Sequence, residues 1–256
     1  MNSVVFLQGL FLFIILSFKY ADTVPGDIKD PIELDLSDEL PDKVKIIPSV
    51  KFSGGSNYLV MKKHRSTHTI GAVVDKENLL VNSSEENMGR YVLVVPIGDG
   101  SRYVRVVTRS RTGSNYFTAV DEFIKGPSNF GYSRVSRISL DLDILTQQSS
   151  NLISIDVFPD PYSPQSVTAK FTVNKEMMHQ AVIGRVKYGK YVVNDGVEGL
   201  IERSVTWEGG PDDPRITILS LYKDGMYYEI RYVFETEPDE GFHNYSDKIR
   251  LIHSYE

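Results

Sequence analysis

A single order of short patterns occurs twice in this chain, and that repetition constrains the fold more than any other feature. The later copy opens Ile183-Gly184-Arg185-Val186 and runs through Tyr191-Val192-Val193 and the lone tryptophan, Trp207, to Pro211-Asp212-Asp213-Pro214. It closes with two alternating runs, Ile216 to Tyr222 and Met226 to Phe234, hinged at Asp224-Gly225. The earlier copy reads Ile70-Gly71-Ala72-Val73, Leu79-Leu80-Val81, Val92 to Val95, Gly98-Asp99-Gly100, Tyr103 to Thr108 and Gly113 before Tyr116-Phe117. A shift of about 112 to 113 sets Ile70 with Ile183, Arg90 with Arg203, Val92 with Val205, Val104 with Ile216, Gly113 with Gly225 and Tyr116 with Tyr228. That period is the size of a small domain rather than of a solenoid repeat.

Within each copy the period of hydrophobicity is two. Ile32-Glu33-Leu34-Asp35-Leu36 puts its apolar residues on one strand face, and Ile138-Ser139-Leu140-Asp141-Leu142 matches it at a shorter shift, about 106. Residues gained in the second copy are therefore expected between Asp156 and Pro164, where three prolines mark a longer loop. Val44 to Pro48, Tyr58 to Met61, Ile153 to Phe158 and Val167 to Val173 read as further short strands. In Met226 to Phe234, Met226, Tyr228, Ile230, Tyr232 and Phe234 form a buried face, with Tyr227, Glu229, Arg231 and Val233 opposite. The glycine after Ile70 and Ile183 fits a bulge or a close backbone approach. No sustained helical period appears. The reading is all-β: two tandem copies of an antiparallel β-sandwich or partly open barrel. The expected boundaries are a signal peptide at 1–21, an exposed lead-in at 22–31, a first module at 32–125, a linker at 126–135, a second module at 136–240 and a C-terminal extension at 241–256. Trp207, at strand parity with Val205, is expected to cap the second core, so that Trp207→Ala costs about 3–5 kcal/mol.

The signal assignment rests on the apolar run from Val4 to Phe18, whose length suits an h-region better than a bilayer span. No second such run follows, so the mature chain is expected to be soluble, secreted and without a transmembrane segment. A formal net charge of −6 argues against nucleic acid as a partner. The absence of cysteine removes disulfides, thiolate nucleophiles and cysteine-based metal sites.

The Ile/Leu-Asp-Leu strand behind a secretion signal, the Ile-Gly-x-Val openings and the paired β-runs with an aromatic finish form a recognisable set. Over residues 32–234 the chain resembles the secreted proteins of piroplasm parasites that carry the domain named for being frequently associated in Theileria, together with their merozoite surface antigens. The resemblance implies a host-facing antigen or exported effector at the parasite surface, in a vacuole or in the host cell, with no catalytic residues to carry over. The chain departs from those families in lacking an anchor tail and a long Pro/Gln-rich region.

Residue chemistry adds one candidate surface. Arg105, Arg109 and Arg111 share strand parity with Tyr103 and are expected to line an exposed basic face suited to an acidic glycan, a phosphoinositide or an acidic host protein. Val106 would point inward. His64 and His68 lie among Lys62, Lys63 and Arg65, which repel a cation, so no metal site is expected. Asp141 and Asp143 read as outward polar positions, with Asp35 the counterpart of Asp141. Ser133 lacks the second glycine of a nucleophile elbow. Asn82 and Asn244 open glycosylation sequons. No cofactor, metal or catalytic residue is expected. The expected function is non-catalytic binding of a host protein or glycan; the alternatives are a structural surface antigen and a hydrolase with carboxylates brought together from distant strands.

Overall fold

The alternating apolar runs become strands almost throughout. The computed structural model describes residues 28–159, 167–209, 213–236 and 240–252; the expected signal at 1–21 lies outside them. The first module comprises β1 (Asp30–Asp35), β2 (Val44–Pro48), β3 (Ser56–Val60), β4 (His68–Asp75), β5 (Asn78–Val81), β6 (Asn87–Pro96), β7 (Arg102–Thr112), β8 (Asn115–Lys125) and β9 (Ser133–Arg134). The second comprises β10 (Ile138–Asp143), β11 (Ile153–Pro159), β12 (Val167–Val173), β13 (Ala181–Tyr188), β14 (Tyr191–Asn194), β15 (Leu200–Glu208), β16 (Arg215–Tyr222), β17 (Met226–Glu235) and β18 (Gly241–Leu251). The helical content of the described residues is two single 3₁₀ turns, at Lys62–His64 and Lys175–Met177, and no helix there is long and apolar enough to cross a membrane.

Each module packs a three-stranded sheet on a six-stranded one. The small sheets run β1-β4-β5 and β10-β13-β14; the large ones run β2-β3-β6-β7-β8-β9 and β11-β12-β15-β16-β17-β18. Pairing is antiparallel except for β1 with β4 and β10 with β13. Leu34, Ile70, Val73, Val92, Val104, Val106 and Phe123 fill the first core, and Leu142, Ile183, Val186, Val205, Ile216, Ile218 and Tyr232 the second. Trp207 lies partly exposed against the second core, tilted 6.3 Å from the Tyr188 ring, with its indole nitrogen turned inward.

The Ile-Gly signature works with a buried arginine. In the β1–β4 ladder Ile32 faces Ile70 and Leu34 faces Val73, so Gly71-Ala72 bulges opposite Glu33. A Cβ on Gly71 would stand 2.6 Å from the Pro31 side chain. The bulge turns the Gly71 carbonyl toward the large sheet, where Arg90 donates to it, to the Asn82 carbonyl at 3.1 Å and to Thr108 Oγ1 at 2.8 Å. Arg203 repeats the arrangement with Gly184, Gly196 at 2.7 Å and Ser220 at 2.9 Å. Carbonyls and a hydroxyl solvate each cation, and among the described residues no carboxylate forms an ion pair with it. Burial accordingly pulls the Arg90 guanidinium down to about 10.

Several expected correspondences shift. Because Leu140 faces Ile183 and Leu142 faces Val186, the counterpart of Ile32 is Leu140, not Ile138, and Asp35 corresponds to Asp143 rather than Asp141. Both aspartates have the same task. Asp35 accepts the amides of Ser37 and Lys76 at 2.8 and 3.2 Å, and Asp143 those of Leu145 and Gly189 at 3.2 and 3.0 Å. Gly113 and Gly225 both have positive φ but are not equivalent. Arg90 pairs with Thr108 and Arg203 with Ser220; beyond those levels β7 runs four residues before turning and β16 only two. Tyr116 is therefore not the counterpart of Tyr228. The gain in the second copy does fall between β11 and β12, which each run two residues further than β2 and β3.

The outer boundaries also change. Asp30 and Pro31, set in the lead-in, begin β1. The expected linker, 126–135, supplies β9 beside β8, and the expected C-terminal extension supplies β18 along all of β17. Both are the sixth strand of the large sheet, short in one copy and long in the other.

Candidate functional site

The basic strand of the first module lies where the two modules meet. The parity argument holds, since Val106 is buried in the core and Tyr103, Arg105, Arg109 and Arg111 share the other face of β7. That face is not open to solvent. Arg105 is 3% exposed and Tyr103 0%, because the second module covers them. Arg105 donates to the Tyr103 hydroxyl at 2.9 Å and lies 3.3 Å from Glu122 and 3.4 Å from Glu202 of the second module. Tyr103 donates in turn to Glu122, and Arg137 grips that carboxylate with bonds of 2.6 and 2.9 Å. Lys51 holds Glu202 at 2.6 Å. Further along, Arg109 donates to the Ile252 carbonyl at 2.9 Å, and Arg111 donates to the Gly113 carbonyl and stacks over Tyr116.

Apolar contacts surround these charges. Val107 and Val120 pack with Ile201, Leu221, Tyr227 and Ile252 from the second module, and Leu93, Val95 and Tyr103 pack under Phe52, Ile97 and Met178. Burial would raise both carboxyls, yet the facing cations hold Glu122 below the ordinary range and Glu202 at about 2. The expected exposed face is thus corrected: Tyr103, Arg105 and Arg109 lie in a seam, and Arg111 alone of the four stands beyond it, half-buried at the end of the strand. Sequence periodicity reports which residues share a face and carries no information about what packs on it.

The same sheet face of the second module is divided: the row Glu202, Leu221 and Tyr227 meets the first module, and the end beyond it, toward Arg215, is open. Cross-strand pairing sets Lys170, Thr206, Thr217, Arg231 and Ser246 in one row across five strands, roughly 19 Å long at the usual strand spacing. Arg215, Lys248 and Arg250 flank it. A register shift in the β17–β18 ladder leaves Tyr245 outside the pairing, 55% exposed, beside Arg231 and Arg215. Opposing charges are present. Asp213 meets Arg215 at 2.6 Å, Glu229 meets Arg231 at 2.8 Å and Lys248 at 3.7 Å, and Glu208 and Asp156 stand opposite Arg215 and Lys170. At the β16–β18 end, Arg215, Arg231 and Lys248 gather beside Tyr245 with Asp213, Glu229 and Glu208 among them, within a chain of net charge −6. The strand that brings Tyr245 and Lys248 to Arg215 and Arg231 is β18, which the sequence presents only as a C-terminal extension.

The remaining motifs resolve locally. His64 and His68 have ring centroids 5.8 Å apart, but Lys43 Nζ sits 2.5 Å from His68 Nε2, where a metal would have to bind. His68 borders an open cleft of about 410 Å³ with Asp30, Asp42 and Lys43. Among the described residues no three His, Cys, Asp or Glu side chains are grouped to hold a metal. Ser133 lies in β9 with its hydroxyl toward the Ile124 carbonyl. Asn82 is exposed after β5, whereas the Asn244 side chain accepts the Ser246 amide at 3.0 Å. No family model matches the chain, and neither a curated protein nor a solved structure matches it.

Proposed function

We propose that the chain is a secreted, host-facing binding protein of the piroplasm type, without a catalytic role, that engages an acidic glycan across the outer face of its second module. The observation that carries this reading is the asymmetry of the repeat: of the face that the first module buries in the seam, the second leaves the end around Thr217, Arg231 and Arg215 open. There it holds hydroxyls, basic side chains and one exposed aromatic ring. Arginine forks suit sulfate and carboxylate, and Tyr245 offers a ring face to a pyranose. The surrounding acidity would confine such a ligand to this face.

Retention on immobilised heparin tests the reading. The wild-type chain is expected to bind at low salt and elute as salt rises, and Arg215→Ser, Arg231→Ser and Lys248→Ser combined to abolish retention. An Arg111→Ser control should elute with the wild type. Flow-through of the wild type at low salt, or unchanged retention of the triple variant, would overturn it.

A further inference from the structure

We infer that the tip of the β7–β8 hairpin is a shallow anchor for a phospholipid bilayer surface, a second contact separate from the glycan face. The hairpin runs further than its repeat, and the extra length joins neither core nor seam: residues 112–117 are all exposed. Tyr116 is 69% and Phe117 56% exposed. Such a ribbon exposes two large rings to water with no return in folding.

The arrangement of the rings selects the occupant. Adjacent strand residues point to opposite faces, so Tyr116 shares a face with Arg111 while Phe117 lies across from Ser110 on the other. A groove on a protein covers one face of a ribbon. The headgroup–acyl boundary surrounds a tip and takes both. Tyr116 with the Arg111 guanidinium 5.6 Å from its ring centre pairs an apolar body with polar ends that can reach the headgroups. The base is held against the second module, by Arg109 on the Ile252 carbonyl and by the Val120 amide on the Lys223 carbonyl at 2.9 Å. Nearby charge is mixed. Exposed Lys223 and Arg250 lie on the seam side with Asp224, and Glu85 and Glu86 follow the β6 side, where the Arg111 amide meets the Glu86 carbonyl. Attachment should therefore depend on the rings first and on anionic lipid second.

Co-sedimentation with vesicles of phosphatidylcholine, alone or mixed with phosphatidylserine, tests the anchor. The wild type should sediment with both, more with the mixture, and Tyr116→Ser combined with Phe117→Ser should weaken this by about tenfold or more. The triple variant of the glycan face should sediment like the wild type, which separates failure of one proposal from failure of the other. Phe117→Trp should gain a tryptophan signal quenched by brominated lipid, above the baseline that Trp207 sets in the unsubstituted protein. Absence of wild-type binding to both vesicles, equal binding by the double variant, or no added quenching would each overturn the inference.

Discussion

Arg105 of the first module lies 3.4 Å from Glu202 of the second, and this contact joins the two copies through a strand the first module also uses for its own core. Both modules bring the same sheet face to the seam, but to different extents. Where the first module buries Leu93 and Val95 beside Tyr91, the second presents Thr206, Glu208 and Ser204 at the corresponding positions. An apolar face calls for a cover and a polar one does not. The second module therefore commits only the Glu202, Leu221 and Tyr227 end of that face to the seam and leaves the end around Thr206 and Thr217 open.

The three arginines of β7 should separate sharply by position. Removing Arg105 leaves Glu122 and Tyr103 buried with less compensation, so Arg105→Ser should cost about 3–5 kcal/mol. Arg109→Ser gives up a bond to a backbone carbonyl at the seam and should cost about 1 kcal/mol. Arg111→Ser, at the exposed end, should fall within about 0.5 kcal/mol of the wild type. Urea denaturation of the three variants checks the ranking, and equal small costs would contradict the buried seam.

Acid should loosen the seam. Glu202 and Glu122 have depressed folded-state pKa values, so each stabilises the fold fully above the unfolded value, about 4.3. The contribution is lost as pH falls toward the folded values, with Glu202 at about 2. The share of the stability due to these two carboxylates, read from urea midpoints, should be constant from neutral pH to about 5 and fall below that. Glu202→Gln should remove part of the slope. An unchanged pH profile in that variant would reject the role given to Glu202.

Alternation in Ile32–Leu36 and Met226–Phe234 and the Ile-Gly repeats were enough to read an all-β pair of modules, because local periodicity reflects the strand itself. The boundaries and the site were not legible in the same way. Residues 126–135 and 241–256 carry weak alternation and in sequence resemble a linker and a tail; the strand state of β9 and β18 comes from the edges that β8 and β17 offer for pairing. Arg105 looked exposed because a charged side chain is usually at the surface, and only the partner module supplies Glu202. Gly113 and Gly225 aligned in sequence because two hairpins of different length each need a left-handed residue to turn.

Lys76 offers the last test. It turns the β4–β5 hairpin at φ 57°, where the equivalent residue in β13–β14 is Gly189 at φ 58°. A side chain there is strained, and the Asp35 carboxylate holding the Lys76 amide at 3.2 Å helps to keep the turn in place. Lys76→Gly should relieve that strain and stabilise the fold by about 0.5–1 kcal/mol, less the greater freedom of glycine in the unfolded chain. Gly189→Ala should lose about 1 kcal/mol. Thermal melts of both variants decide the matter: destabilisation by Lys76→Gly would show that the lysine's own contacts outweigh its backbone strain.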